Sequence, residues 1–310
     1  MAAIASCSII IPCYNAGRFL ADTLASVREQ TCLPEETIVI DDGSTDGSSE
    51  IALRAGPNVK VIHQANQGES VARNVGLRAA RGQHVLFLDA DDLLAPETIE
   101  RFEAAVGTVS NQVAVMGVAS FTTAPEERFD RQMPTVSDFF PTIVQTNFGP
   151  PHCWYTPRAL ALAVHGFRED LVNSEDWDFW GRIALTGAGL VSVPYEGALY
   201  RRHANSQVAT TPKPAIFRGR LSVAETLATG VLQDAALLER VGEPLFWSLW
   251  AMITQARHGG VAPPDLVRAE QLLQAVARRG PTPLRRTSSA LAVRLLGVRA
   301  AERLRGLSAR

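Results

Sequence analysis

Three carboxylates, Asp89, Asp91 and Asp92, lie within four residues of one another directly after the apolar run 86–88. Like charges this close raise one another's pKa unless something compensates them. A hard divalent cation, Mg²⁺ or Mn²⁺, provides that compensation, and proteins bind it through one or two carboxylates together with phosphate oxygens. The spacing therefore indicates a metal site. The alternative is that Asp92 caps the next helix while Asp89 only ends the strand.

A second acidic turn begins at Asp41 and Asp42 and continues through Gly43, Ser44 and Asp46. Carboxylates accept hydrogen bonds from a nucleobase N–H or a ribose hydroxyl, and a glycine allows a backbone to approach a ligand closely. An Asx turn that leads into a helix cap would explain Ser44 and Asp46. It would not explain two adjacent aspartates, so this turn is a candidate nucleotide site.

Short apolar runs alternate with helix-like segments through the first half of the chain. The runs predict buried strands, and the segments between them predict helices with one apolar face. The expected strands are 8–11, 37–40, 59–63, 84–88 and 112–118, and the expected helices are 18–30, 48–54 and 70–80. This alternation predicts an α/β fold with a mostly parallel sheet flanked by helices, and ligands bind beyond the carboxyl ends of such strands.

The second half of the chain shows a weaker pattern. Five prolines between residues 121 and 151 predict a long irregular segment that shapes a cleft, followed by a helix at 175–185 and strands at 190–193 and 198–201. Beyond Thr211 the pattern is helical. We therefore expect a catalytic domain over 1–210, with a nucleotide half to about 120 and an acceptor half after it, and a helical region over 211–310.

The composition narrows the functional classes. The 310 residues are 46% hydrophobic with a net charge of −2, which does not favour nucleic acid as a partner. Four cysteines without a CxxC pair suggest reduced, structural thiols and a cytoplasmic protein. We expect no signal peptide, because the first residues lack a positive region, and no membrane span, because no apolar run reaches about 18 residues.

Four segments together resemble a known family. They are 8–15 (SIIIPCYN), 39–48 (VIDDGSTDGS), 66–76 (NQGESVARNVG) and 88–92 (LDADD). In this order and spacing they closely resemble the motifs of family-2 inverting glycosyltransferases of the GT-A fold, the last being similar to the DxD metal motif. Segment 173–180 (NSEDWDFW) looks like the family's catalytic segment, and Tyr200 to His203 with Ser206 looks like the segment that closes over the diphosphate. The resemblance covers about residues 6 to 206.

The resemblance implies roles for individual residues. Asp176 would be the general base, Asp91 and His203 would hold the metal, Tyr14 would stack on the base and Asp89 would contact ribose. The implied nucleotide-binding residues are Pro12, Tyr14, Asn15, Asp41, Asp42, Gln67, Gly68, Arg73, Asp89 and Ala90. A solvated helix position for Arg73 and a surface position for His203 are the alternatives.

Further side chains are candidates for the acceptor or the diphosphate, namely Glu175, Trp177, Arg201 and Trp154. Arg201 and Arg202 alternate along a strand, so only one of them should face the site. Sugars stack on aromatic rings, but core packing explains Trp154 and Trp177 equally well. His152 is a further candidate for acceptor contact.

The implied function is metal-dependent, inverting transfer of a sugar from a nucleotide-diphosphate-sugar, with UDP favoured, to a glycan or lipid-linked acceptor in surface polysaccharide or cell-envelope synthesis. A catalytically degenerate nucleotide-sugar-binding module is the alternative, although the intact Asp89, Asp91 and Asp176 argue against it. A dinucleotide-binding dehydrogenase is disfavoured because the first strand leads to Pro12 and not to a GxGxxG turn. A sugar-nucleotide pyrophosphorylase usually opens with a Gly-rich basic loop that is absent from this sequence.

The last thirty-odd residues are strongly basic. Residues 278–310 contain nine arginines and only one acidic residue, Glu302. In a helix, Leu291, Leu295 and Val298 would share one face. Such a helix can lie on an anionic membrane surface, which would place the protein peripherally on the inner face of the plasma membrane. The alternative is that its leucines pack on the catalytic domain.

Overall fold

The structure is a computed structural model that describes residues 3–107, 111–134, 138–204, 210–257 and 261–281, together with 290, 293, 297, 298 and 301. Its contacts divide the chain into two compact units. The first unit consists of Met1–Phe139, Phe148–Asp170 and Thr186–Thr210. The second unit consists of Phe140–Asn147, Leu171–Leu185 and Thr211–Arg310.

The first unit is built on one mixed sheet. In chain order its strands are β1 (Ala3–Cys13), β2 (Cys32–Asp41), β3 (Val59–His63), β4 (His84–Phe87), β5 (Leu93–Leu94), β6 (Gln112–Phe121), β7 (Phe129–Gln132), β8 (Trp154–Pro157) and β9 (Gly189–Arg201). They lie in the order β3-β2-β1-β4-β8-β6-β9-β5, and β7 pairs with β6. The predicted α/β fold class with a helical C-terminal region is confirmed.

The core of this unit follows from the apolar runs. Ile9, Ile10 and Ile11 in β1 are all fully buried, because both faces of the central strand are covered. The helices that flank the sheet are α1 (Leu20–Arg28), α2 (Ser48–Leu53), α3 (Glu69–Ala79), α4 (Thr98–Val106) and α6 (Arg158–Ala163). A methyl group at Gly76 of α3 would lie 2.3 Å from Ile10 Cγ2, so this glycine allows the helix to approach β1 closely.

Several strands end at one edge of the sheet. β1 pairs in parallel with β2 and β4, and β2 pairs in parallel with β3. β8 is antiparallel to both β4 and β6, so β6 runs in the direction of β4, and β9 is parallel to β6. The ends of β1, β2, β3, β4 and β9 therefore lie at the same edge, which we call the carboxyl edge.

Some local predictions were wrong. The segment 121–151 is not simply irregular, because it contains β7, the short helix α5 (Phe139–Ile143) and the beginning of a 3₁₀ turn (Pro151–Cys153). The strands expected at 190–193 and 198–201 are one strand, β9. Its register against β6 shifts between Met116 and Val118, and a bulge of this kind accommodates the missing N–H of Pro194.

The second unit is helical. Its main helices are α7 (Glu175–Leu185), α8 (Lys213–Gln233), α9 (Ala235–Arg257) and α10 (Pro263–Arg279). Buried side chains recur at helical spacing, as in Val241, Leu245 and Leu249 of α9, and α8, α9 and α10 pack on one another. The predicted boundary near residue 210 coincides with the last change of unit, but α7 belongs by its contacts to the C-terminal helices.

Among the described residues, no helix combines the length and the apolar character that a membrane crossing requires. The predicted basic helix lies almost entirely outside the described residues, as does Ser206.

Candidate active site

The loop after β1 presents an aromatic ring to solvent. Tyr14 is 54% exposed, so its ring is free for stacking on a planar ligand. The next residue, Asn15, has a φ of 49°, and its side-chain oxygen accepts a hydrogen bond from the Thr45 N–H at 2.8 Å. The Asn15 N–H donates to Ser44 Oγ at 3.0 Å. These bonds hold the loop after β1 against the acidic turn after β2.

The first aspartate of the acidic turn is bonded within the turn. Asp41 Oδ1 accepts the Ser44 N–H at 3.0 Å, and Oδ2 lies 3.1 Å from His63 Nδ1 at the end of β3. Burial alone would raise the pKa of Asp41, but the hydrogen bonds from Ser44 and His63 outweigh it, and the pKa is lowered. Gly43 has a φ of 81°, and a methyl group there would lie 3.0 Å from Asn66 N, so a side chain at this position would be strained. Pro12 is buried in β1, and its predicted part in nucleotide binding stays a prediction.

The second aspartate of the turn anchors another loop. Asp42 Oδ1 accepts hydrogen bonds from Gln64 Nε2 at 2.7 Å and from the Gln67 N–H at 2.9 Å. Oδ2 accepts the Gly68 N–H at 2.8 Å. A carboxylate has about four acceptor sites, so these bonds occupy most of them. Asp42 therefore holds the loop at 64–68, and its predicted contact with a base N–H stays a prediction.

Arg73 lies inside the first unit and is not a solvated helix residue. Its side chain is 2% exposed, and Nη2 lies 2.8 Å from Asp89 Oδ1 and 3.3 Å from Glu69 Oε2. The guanidinium also lies over the ring of Phe167, 5.2 Å from its centroid. Arg73 thus fixes Asp89 at the carboxyl edge. It supplies positive charge beside the group formed by Asp89, Asp91 and Asp92, which we call the acidic cluster.

The acidic cluster contains a carboxylate and an imidazole in direct contact. Asp91 Oδ2 lies 2.8 Å from His203 Nε2, and both side chains are partly exposed. Burial and the neighbouring charge of Asp89 raise the pKa of Asp91, and His203 opposes that shift. Carboxylate oxygen and imidazole nitrogen are both ligands of divalent metals, so these residues fit Mn²⁺ or Mg²⁺ and place His203 beside the DxD segment. Ala90, which precedes Asp91 in the sequence, is buried, and its carbonyl accepts the Thr23 hydroxyl at 2.9 Å.

Arg201, the last residue of β9, and Arg202, which follows the strand, have different partners, and which of them faces the site stays a prediction. The Arg201 Nε donates to the Asp91 carbonyl at 2.7 Å, and its guanidinium carbon lies 4.9 and 4.6 Å from the ring centroids of Phe19 and Phe121. Arg202 instead pairs with Asp130 at 3.1 Å. Arg201 therefore supports the backbone of the acidic cluster.

Asp92 and His152 lie behind the exposed part of the cluster. Asp92 is 1% exposed and His152 is 0% exposed, and His152 Nδ1 lies 3.5 Å from Asp92 Oδ2. Burial, followed by the charges of Asp91 and Asp89, raises the pKa of Asp92 well above its usual range, and burial lowers the pKa of His152 to about 4. The suggestion that His152 touches an acceptor was wrong, because the ring is fully enclosed.

Segment 175–178 belongs to the second unit. Glu175 and Asp178 are buried, and Asp178 pairs with Arg182 at 2.6 Å, whereas Asp176 is half-buried. Asp176 Oδ2 accepts a hydrogen bond from Asn147 Nδ2 at 2.7 Å, and Oδ1 accepts the Trp177 N–H at 2.7 Å. Each oxygen of Asp176 thus has a donor that orients it. Asn147 escaped sequence analysis because it lies in the segment without a periodic pattern.

The two tryptophan candidates pack in the interiors of their units. Trp154 is 2% exposed, and its N–H donates to the Phe148 carbonyl at 3.0 Å. Trp177 is 9% exposed, and its N–H donates to the Ile143 carbonyl at 2.6 Å. Core packing, the alternative left open by the sequence, describes both rings.

Sequence relatives have glycosyltransferase names. "Uncharacterized glycosyltransferase EpsJ" of Bacillus subtilis (strain 168) is 30% identical over 228 residues, 67% of this chain and 64% of the relative. "Uncharacterized glycosyltransferase YibD" of Escherichia coli (strain K12) is 48% identical over 96 residues, 30% of this chain and 28% of the relative. The chain thus spans less than two thirds of the length of these relatives.

Solved structures share the fold. Staphylococcus aureus TarS 1–349 in complex with UDP-GlcNAc superposes with a TM-score of 0.68 at 20% identity, over 96% of this chain and 87% of that chain. The mannosyltransferase PcManGT from Pyrobaculum calidifontis, in complex with GDP-Man and Mn²⁺, gives a TM-score of 0.50 at 20% identity, over 98% and 79% of the two chains. Residues 8–163, half of the chain, match the family model of Glycosyl transferase family 2. The chain belongs to glycosyl transferase family 2.

Proposed function

We propose that this protein is a metal-dependent, inverting glycosyltransferase that moves a sugar from a nucleotide-diphosphate-sugar to a hydroxyl acceptor. The observation that carries the proposal is the 2.8 Å contact between Asp91 and His203 at the carboxyl edge. Ligands bind at this edge in α/β sheets, and this pair offers the mixed carboxylate and imidazole ligands that a divalent cation accepts. Family membership supports the same conclusion.

The donor half of the site is formed by the first unit. In the proposal Tyr14 stacks on the nucleobase, Asp89, held by Arg73, contacts the ribose, and Asp91 with His203 holds the cation. When bound, Mn²⁺ or Mg²⁺ supplies the Lewis acidity that stabilises the departing diphosphate. A UDP-sugar is the favoured donor because TarS was solved with UDP and UDP-GlcNAc, and the GDP-Man and Mn²⁺ complex of PcManGT supports a divalent metal.

Asp176 is the proposed general base. Inversion requires one carboxylate to take the proton of the acceptor hydroxyl as that oxygen attacks C1. Of the three carboxylates in segment 175–178, Glu175 and Asp178 are buried, and only Asp176 is partly accessible to solvent. Asn147 and the Trp177 N–H each donate to one oxygen of Asp176, and these bonds orient the carboxylate.

A cytoplasmic role in the synthesis of surface polysaccharide or cell-envelope glycans, on a glycan or lipid-linked acceptor, completes the proposal. Its support is the glycosyltransferase names of the bacterial relatives and the four cysteines, which are all buried and outside disulfide bonds. Peripheral membrane contact through the basic segment 278–310 belongs to the same proposal and rests on its nine arginines alone.

Donor hydrolysis tests the proposal without knowledge of the acceptor, because water replaces the hydroxyl. UDP-sugars, GDP-mannose and dTDP-sugars are incubated with the protein in Mn²⁺, in Mg²⁺ and in EDTA, and the released nucleoside diphosphate is measured. We expect metal-dependent release from one donor class, and NMR of the first sugar formed should show the inverted anomer.

Two variants complete the experiment. Asp176→Asn should lower turnover by about 10² to 10⁴ while donor affinity stays nearly constant. Asp170→Asn, which removes an exposed carboxylate paired with Arg168, is the matched control and should keep full activity. If the native protein binds a donor but releases nothing from any of them, it is a degenerate binding module and not a transferase.

A further inference from the structure

Two hydrogen bonds connect the acidic cluster to the end of β9. Asp92 Oδ1 accepts the backbone N–H of Arg201 at 2.6 Å. The side chain of Arg201 returns to the cluster, since its Nε donates to the Asp91 carbonyl at 2.7 Å. Asp91 is the residue before Asp92, and His203 follows Arg201 by two residues. These two hydrogen bonds therefore fix the two backbone segments that carry Asp91 and His203.

His152 lies next to the second oxygen of Asp92. It belongs to the 3₁₀ turn (Pro151–Cys153), which leads directly into β8 in the middle of the sheet. Its ring is fully buried, and Nδ1 lies 3.5 Å from Asp92 Oδ2. Neither His152 ring nitrogen has a partner within ordinary hydrogen-bond geometry among the described residues, and the same is true of Asp92 Oδ2. The two groups thus face each other inside the unit.

Asp92 could instead be a metal ligand. Ligand atoms of Asp89, Asp92 and His152 lie within 4.8 Å of one another, a spacing that could hold an ion. However, the guanidinium of Arg73 already pairs with Asp89 at 2.8 Å, and Asp92 already accepts the backbone N–H of Arg201. Asp92 and His152 are also enclosed, whereas the Asp91 and His203 side chains reach solvent and are accessible to a nucleotide. The geometry favours support over ligation.

We propose that Asp92, backed by His152, is a positioning residue that sets the separation of Asp91 and His203. This inference rests on the proposed function, in which that pair holds the cation. The role depends on the hydrogen-bonding shape of Asp92 and not on its charge. Groups that orient metal ligands typically change metal affinity by about 10- to 100-fold when they are removed, although they never touch the ion.

The test compares the removal of the side chain with the removal of its charge alone. Asp92→Ala loses the bond to the Arg201 N–H, whereas Asp92→Asn keeps an oxygen for that N–H and offers an amide N–H to His152. Mn²⁺ affinity is measured without nucleotide by the electron paramagnetic resonance signal of free Mn²⁺, and thermal unfolding in EDTA checks the fold. Glu50→Ala, which removes an exposed carboxylate from α2, is the control.

We expect Asp92→Ala to weaken Mn²⁺ binding by about tenfold or more at unchanged stoichiometry, and Asp92→Asn to stay within about threefold of the native protein. Equal affinity of native protein and Asp92→Ala would overturn the positioning role. If Asp92→Asn loses as much Mn²⁺ affinity as Asp92→Ala, the positioning role is also overturned. The charge of Asp92 would then be required, as it is for a metal ligand. Absence of Mn²⁺ binding by the native protein would instead overturn the proposed metal use, and the positioning role with it.

If Asp92→Ala fails to fold, His152→Leu carries the test. Leucine keeps the bulk of the buried ring but removes the nitrogen beside Asp92 Oδ2. If His152→Leu binds Mn²⁺ more weakly but unfolds at nearly the same temperature as the native protein, His152 helps to hold Asp92 in position. Native affinity in a folded His152→Leu protein would contradict it.

Discussion

Asp42, to which the family resemblance assigns base recognition, accepts three hydrogen bonds from the loop at 64–68. The variant Asp42→Asn has one acceptor oxygen where the carboxylate has two. If the amide oxygen takes the place of Oδ1, it keeps the bonds from Gln64 and Gln67. The NH₂ group then takes the place of Oδ2 and cannot accept the Gly68 N–H, because both groups are donors. One hydrogen bond is then lost, and two bonds to a charged acceptor become bonds to a neutral one.

The expected cost follows from these bonds. A hydrogen bond to a charged group contributes about 1.5–3 kcal/mol net, and a neutral acceptor gives roughly half of that. Asp42 itself is 3% exposed, but Gln67 and Gly68 are exposed, so water replaces part of the loss. We therefore expect Asp42→Asn to lower the free energy of unfolding by about 2 kcal/mol in the absence of any ligand.

Urea denaturation of the ligand-free protein measures this change, and the slope against urea shows whether the same transition is observed in the variant. Asp170→Asn, at an exposed carboxylate, is the matched control and should stay within about 0.5 kcal/mol of the native protein. If Asp42→Asn leaves stability unchanged but abolishes nucleotide binding, Asp42 is a base acceptor only and the loop-anchor account is refuted.

Three further predictions concern the rest of the site. Because the Tyr14 ring is exposed, Tyr14→Ala should leave stability unchanged but weaken nucleoside diphosphate binding by about 1–2 kcal/mol in calorimetry, whereas Tyr14→Phe should bind normally; equal affinity of all three proteins would exclude stacking. Asn147→Ala removes the donor to Asp176 Oδ2 and should reduce kcat by about tenfold or more at constant donor KM, and a change in KM alone would contradict this orienting role. Burial and Asp89 raise the pKa of Asp91 above 3.8, so its folded form binds protons more tightly than the unfolded form, and its contribution to stability falls as pH rises through the raised pKa. Since Mn²⁺ competes with that proton, the increase in Tm that Mn²⁺ causes should become smaller as the pH falls from 7 toward 4, and the same pH dependence in native protein and Asp91→Asn would contradict Asp91 as a ligand.

Patterns that are local in the sequence predicted the fold well. The run Ile9, Ile10 and Ile11 predicted a central buried strand, and the carboxylates after the strands predicted a cluster at the carboxyl edge. Both predictions depend only on the periodicity of strands and on the rule that their ends meet at one edge. The bounds of β3 and α7 were predicted to the residue.

Contacts between distant parts of the chain could not be predicted in the same way. Asp42 bonds residues 22 to 26 positions away, and Asn147 meets Asp176 across 29 positions. Neither interaction leaves a periodic or compositional trace. β8 was missed because its four residues, which end in a proline, are too short to show an alternation, and its strand form depends on pairing with β4 and β6.

The most direct test of the central claim is calorimetric titration of the purified protein with UDP, GDP and dTDP, each with Mn²⁺ and with EDTA, repeated for Asp91→Asn. We predict that one nucleotide, UDP first among them, binds the native protein only with Mn²⁺, and that Asp91→Asn loses this metal dependence together with most of the affinity. Folded native protein that binds none of the three nucleotides, or an Asp91→Asn variant with native Mn²⁺-dependent binding, would contradict the account.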